Sequence, residues 1–134
     1  MQWTETLRVG VGFIDADHED FITLLNTAKD ASDVEFPAAF QALAEHTRAH
    51  FAREEALMDA TGFFATDIHK GEHARVLAEV GHFAEHLERG NIAFVRAYVA
   101  ERLPDWFIQH RNTMDQATAA HAARAGHADA VPAD

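Results

Sequence analysis

Residues 37–62, PAAFQALAEHTRAHFAREEALMDATG, decide how this chain folds. Proline stands in the first turn, where its missing N–H has no helical partner to lose. Phe40, Leu43, Phe51, Leu57 and Met58 follow at helical spacing, and Gly62 suits the left-handed residue that closes many helices. The stretch reads as one long amphipathic helix. Working outward, Asp15 or Asp17 caps a first helix that reaches Ala31 with Phe21, Ile22, Leu24 and Leu25 as its apolar stripe. Residues 1–14, with Gly10 and Gly12, read as an extended arm, and residues 32–36 as a short connection. Thr66 caps a third helix through Val76, Leu77, Val80, Phe83 and Leu87, ending at Gly90. Asn91 caps a fourth, carrying Phe94, Val95, Val99, Trp106 and Phe107 to about Ala122. Pro104 is expected to kink this helix or divide it. Residues 123–134 read as a flexible tail. Four such helices joined by short loops predict an all-α, antiparallel up-down-up-down four-helix bundle over residues 1–122.

The composition narrows what such a bundle does. The 134 residues include 11 Lys and Arg against 22 Asp and Glu, a net charge of −11. That balance argues against partners made of nucleic acid or anionic lipid, which call for a basic surface. There is no cysteine, so disulfides, thiolate nucleophiles and cysteine-held metals are excluded. The first residues lack a basic segment followed by an apolar run, and no window approaches a membrane span, so a cytoplasmic location is expected. Ten histidines are the outstanding surplus.

Seven ionisable groups fall beside apolar residues on all four helices. His50 and Glu54 are four apart, as are His69 and His73, and each pair shares a helical face. His110 and Asp115 are five apart, and His18 stands near the start of the first helix. Buried imidazoles and carboxylates are costly unless paired or bound to a cation. A lone H-x-x-x-H is weak by comparison. His82 and His86 form one, but it begins nine residues after His73, about half a turn round at ~100° per residue, and reads as surface. His46 reads as exposed or just outside the cluster, with exposure favoured, while His121 and His127 belong to the fraying end. Glu45 and Glu55 read as a solvated face. Five imidazoles and two carboxylates exceed the needs of one tetrahedral ion. With bridging carboxylates and a bridging oxo or hydroxo group they fill all but one position of two octahedra. The open position belongs to the metal with two histidines, and the all-nitrogen-and-oxygen set suits iron. A pair five residues apart is ~140° out of phase on an ideal helix, so a widened, π-type turn is predicted between His110 and Asp115.

W-T-E-T-L-R-V-G-V-G-F-I-D-A-D-H (3–18), H-F-A-R-E-E-A-L-M (50–58), H-K-G-E-H (69–73) and W-F-I-Q-H-R-N-T-M-D (106–115) resemble the motifs of hemerythrins, specifically the single-domain bacterial ones. The resemblance covers about residues 3–115. It implies a di-iron centre in which His69, His73 and His110 hold one iron, His18 and His50 hold the other, and Glu54 and Asp115 bridge them. It further implies reversible O2 binding at the open position of the second iron, for storage, delivery or buffering. The implied protein is a binding protein rather than an enzyme, its ligands extending to NO or small anions and its protein partner unknown. Phe21, Ile22, Trp106 and Phe107 would line the O2 pocket, with Arg111 where the family commonly has isoleucine. Two further departures are Asp17, where glutamine is common, and Phe63–Phe64, where a Tyr-Pro pair is usual. The alternative is a di-iron protein that senses O2, redox state or nitric oxide, or that detoxifies. Sensing is disfavoured by the expectation that no transducer follows the bundle. Ferritin-like oxidase chemistry is disfavoured by the nitrogen-rich ligand set.

Overall fold

The computed structural model describes residues 1–126. Its rods are α1 (Gly12–Asp30), α2 (Phe36–Thr61), α3 (Thr66–Glu88) and a fourth spanning residues 92–124. The fourth consists of α-helical runs Ile92–Ala97, Leu103–His110 and Gln116–Arg124, spliced by π turns at Tyr98–Arg102 and Arg111–Asp115. Short connections make successive rods antiparallel, and the fourth packs on α1, α2 and α3, closing a four-helix bundle. Beyond Gly126 the expected tail, His127 included, lies outside the described residues. None of the helices described is long and apolar enough to cross a membrane.

Local chemistry explains most of the boundaries. Pro37 occupies the first turn of α2, and Gly62 ends that helix at φ 63°, a conformation that suits glycine. Elsewhere the expected caps are replaced. α1 starts at Gly12, and the Asp15 carboxylate instead turns back to accept the N–H groups of Val9 (2.7 Å) and Gly10 (3.2 Å). Thr66 is the first residue of α3, its hydroxyl donating to the Phe63 carbonyl. Asn91 stands at the N-cap position of the fourth rod as expected, but its amide pairs with His86 Nδ1 at 3.1 Å instead of with a helix N–H. Pro104 does not divide that rod: Ala97, Arg102 and Leu103 all keep right-handed helical backbone. The π turn just upstream widens the helix where the proline lacks a donor and its ring crowds the preceding turn. The π turn expected between His110 and Asp115 is present.

The arm is anchored to the bundle. Asn26 joins it to α1 by accepting from the terminal amine and donating to the Met1 carbonyl. The buried Arg111 guanidinium donates to the carbonyls of Thr6 (3.0 Å), Leu7 (2.8 Å) and Arg8 (2.7 Å). Arg111→Met would leave three carbonyls short of a charged donor, a cost of about 2–3 kcal/mol. We expect a lower melting temperature and faster proteolysis within residues 1–11; unchanged values for both would refute the clamp.

Two apolar layers bracket the middle of the bundle. One includes Leu25, Phe36, Phe40, Leu43, Val76, Val80, Val95, Val99 and Leu103. The smaller comprises Val11, Ile14, Leu57, Ala119 and Ala122. Of the seven ionisable groups singled out above, those on α1, α2 and the fourth rod fall at or between these layers, and those on α3 precede Val76.

Candidate metal centre

The structure brings His18, His50, Glu54, His69, His73, His110 and Asp115 together, all of them buried. They form two groups that share both carboxylates: Glu54, His69, His73, His110 and Asp115 in one, His18, His50, Glu54 and Asp115 in the other. The sharing is resolved oxygen by oxygen. Glu54 Oε1 lies 2.7 Å from His69 Nε2 and 3.7 Å from His73 Nε2, while Oε2 lies 3.0 Å from His50 Nε2. Asp115 Oδ1 lies 3.1 Å from His69 Nε2 and 2.9 Å from His110 Nε2, while Oδ2 lies 3.0 Å from His18 Nε2. Each carboxylate thus turns one oxygen to two imidazoles of the three-histidine group and the other to one imidazole of the two-histidine group.

These close approaches are mostly not aligned hydrogen bonds. Both Glu54 oxygens, Asp115 Oδ1, His73 Nε2 and both His18 nitrogens are buried without a hydrogen-bond partner. Orphaned groups in a dry core normally cost 1–3 kcal/mol each. They fit a cation instead, since adjacent ligands with ~2.1 Å bonds in an octahedron lie ~3.0 Å apart.

The titration of the cluster points the same way. Burial would lower His50, but its contacts with Asp17 and Glu54 and the Asp115 charge override this and raise it to about 10. His69 is likewise raised, to about 9, by Asp115 and Glu54 against the pull of burial. His73 is driven down to about 2 by burial and by repulsion from His69 and His110. Burial would raise Asp115, but His110, His18 and His69 hold it well below the ordinary carboxylate range. The raised values of His50 and His69 show how strongly the two carboxylates favour positive charge beside them, charge that a cation would supply in place of protons.

An outer set of hydrogen bonds fixes the rings. His50 Nδ1 pairs with Asp17 Oδ2 at 2.9 Å, and Arg53 holds the same carboxylate through both its oxygens. His69 Nδ1 meets Thr118 Oγ1 at 2.8 Å, and His73 Nδ1 meets Glu55 Oε2 at 3.1 Å. His73 stacks on Phe51 with ring centroids 3.8 Å apart. In the sequence Asp17 reads only as a helix cap and a departure from the family pattern, Thr118 carries no role, and Glu55 reads as solvated. The available signals were position: Asp17 precedes His18, Glu55 follows Glu54, and Thr118 is one turn after Asp115. Partners of this kind commonly contribute 10- to 100-fold in metal affinity. Asp17→Ala should accordingly weaken ferrous binding about 10- to 100-fold while the chain stays folded, measured by competition with a chelator. An unchanged affinity would show that Asp17 does not orient His50.

A small, mainly apolar pocket of about 10 Å³, room for one water-sized molecule, opens on the two-imidazole side. His18 and His50 line it together with His110 and Asp115, whereas His69 and His73 do not. Phe21, Trp106 and Phe107 form its walls, joined by Phe51 and Thr47. Two expected wall residues are elsewhere. Ile22 packs in the larger apolar layer one turn beyond His18. Arg111 carries its buried charge to the arm's carbonyls, the acceptors such a charge requires. His46 is half-buried rather than exposed, lines the pocket, and pairs through Nε2 with the Asp17 carbonyl. His82 is exposed, and His121 is tied to the Thr61 carbonyl at 2.8 Å.

Four antiparallel rods around a buried histidine–carboxylate cluster with shared acids define a four-helix bundle of metal-site composition. The family model for the hemerythrin HHE cation binding domain matches residues 9–122. A bacteriohemerythrin of Ralstonia nicotianae is 41% identical over 116 residues, covering 87% of this chain and 84% of that protein. Myohemerythrin-1 of Phascolopsis gouldii is 32% identical over 114 residues, covering 84% and 87%. The crystal structure of a hemerythrin leucine-to-alanine mutant superposes with a TM-score of 0.76 at 23% identity, over 87% of this chain and 92% of that one, and supports the fold. The chain belongs to the hemerythrin family, known for oxygen binding at non-haem iron.

Proposed function

We propose that this chain is a di-iron protein that binds O2 reversibly, for storage, delivery or buffering, and is not an enzyme. The observation that carries the reading is that each carboxylate points its two oxygens at different imidazole groups, one of three histidines and one of two, with the pocket on the side of the two. In this reading His69, His73 and His110 would hold one iron and His18 and His50 the other, with Glu54 and Asp115 shared between them and an oxo or hydroxo group completing the centre. The iron pair supplies the electrons and the coordination position that capture of a diatomic requires. The chain's own residues do the rest. Phe21, Phe51, Phe107 and Trp106 exclude water, and Asp17, Glu55 and Thr118 orient the imidazoles that face them. A cytoplasmic location is part of the same reading, on the sequence grounds given above.

One observation favours the sensing alternative. Arg111, which clamps the arm, sits in the π turn between His110 and Asp115, so a change at those residues has a direct route to the arm. The test is to expose anaerobically reduced, iron-loaded protein to air, follow the visible spectrum, and purge with argon. Return to the colourless form supports carriage; one-way conversion to the ferric form overturns it in favour of sensing or turnover.

A further inference from the structure

Trp106 borders two spaces. On one side it walls the inner pocket, where its ring stacks on His110 (centroids 4.7 Å apart, 19° between planes) and meets Phe51 edge-on at 6.0 Å. On the other it floors a surface cleft between α3 and the fourth rod, with Arg75, Glu79, Arg102, Asp105 and Gln109 around it. Among the described residues no other lines both spaces.

The ring is held at this boundary from outside. Its indole N–H donates to Glu72 Oε1 at 2.9 Å, the bond that satisfies its polar edge. Glu72 is itself gripped in bidentate fashion by Arg75, through Nη2 to Oε1 (2.6 Å) and Nε to Oε2 (3.0 Å). Arg75 continues to Glu79, which takes two more bonds from Arg102 one helical turn before Trp106. A ladder of charges thus runs up α3 at positions 72, 75 and 79 and across to the fourth rod at 102 and 106. Exposed ion pairs contribute little individually. This network's position is what counts, since it fixes a single aromatic plate between water and a dry cavity.

We propose that Trp106 is the door through which a small guest passes between the charged cleft and the inner pocket, and that Glu72 and Arg75 are positioning residues that latch it. This rests on the guest-binding reading above, but the latch can be tested without it. Swinging the indole outward breaks its bond to Glu72, removes the wall beside His110 and joins the two spaces. A door of this kind changes the barrier to passage and leaves the guest's affinity alone, so entry and exit change together.

The probe is azide, mixed rapidly with iron-loaded protein. Glu72→Ala removes the indole's acceptor and should raise the association and dissociation rates in parallel by about tenfold, the size expected for one charge-assisted hydrogen bond, with affinity conserved within about twofold. Glu72→Gln keeps an acceptor oxygen and should stay nearer the parent in both rates. Trp106→Phe, which has no N–H to latch, should speed association at least as much as Glu72→Ala. The second readout needs no iron. With Trp3→Phe as background, acrylamide should quench Trp106 fluorescence more strongly in metal-free Glu72→Ala than in metal-free parent. Unchanged azide rates in both Glu72→Ala and Trp106→Phe, or a shift in affinity carried by dissociation alone, would overturn the door. Unchanged quenching would overturn the latch. A parent that bound no azide would count against the guest-binding reading, and the quenching result would still decide the latch.

Discussion

Glu54→Ala should lose at least half of the heat stability that ferrous iron confers on the parent chain. Glu54 is fully buried, and its two oxygens face different imidazole groups, so in the proposed centre one truncation removes a ligand from both irons. A ligand present at a thousandfold excess over its dissociation constant stabilises a fold by about 4 kcal/mol. In a domain of this size that corresponds to a rise in melting temperature of about 10 °C or more. Alanine fits the interior of α2, so the metal-free variant should remain helical by circular dichroism. The comparison is therefore of melting temperatures with and without iron, anaerobically, in both chains. A variant that gained as much as the parent would show that Glu54 holds no metal.

The second large effect is at Phe107. Its ring stacks on Phe21 (4.9 Å, 17°) and stands edge-on to His18 (5.1 Å, 86°), closing the pocket where an imidazole would otherwise meet a void. Phe107→Ala deletes a buried aromatic from a site bounded by two rigid rods, and such truncations cost about 3–5 kcal/mol. We expect the denaturation midpoint to fall accordingly. The enlarged cavity should also admit water beside His18, so that oxygenated protein converts to the ferric form in air faster than the parent does. Loss of stability with unaltered conversion would show that water exclusion does not depend on this ring.

The helices were legible because their signals are local. Pro37 and Gly62 frame α2, Gly90 follows the end of α3, and apolar residues recur at helical spacing between them. The seven clustered groups were legible through phase, including the π turn that the five-residue spacing of His110 and Asp115 demands. What escaped was set by contacts across the fold. Asp15 looks like a helix cap in sequence, yet it serves the arm, because Val9 and Gly10 present unpaired N–H groups to it. Arg111 looks like a pocket residue by position, but a buried guanidinium goes where acceptors are, and three carbonyls of the arm supply them. Glu55 has the composition of a solvated face and becomes the partner of His73 only because α3 packs beside α2. The Glu72 latch on Trp106 joins residues 34 apart in sequence, beyond what periodicity reports.

The proposed centre is a pair of irons held by five imidazoles and two shared carboxylates. It is tested most directly by anaerobic titration of the metal-free chain with ferrous salt, followed by oxidation and electron paramagnetic resonance. The expected endpoint is two irons per chain with a silent ferric spectrum, because two bridged ferric ions cancel each other's spin. An endpoint of one iron or none, or the signal of an isolated high-spin ferric ion in proportion to the iron bound, would contradict it.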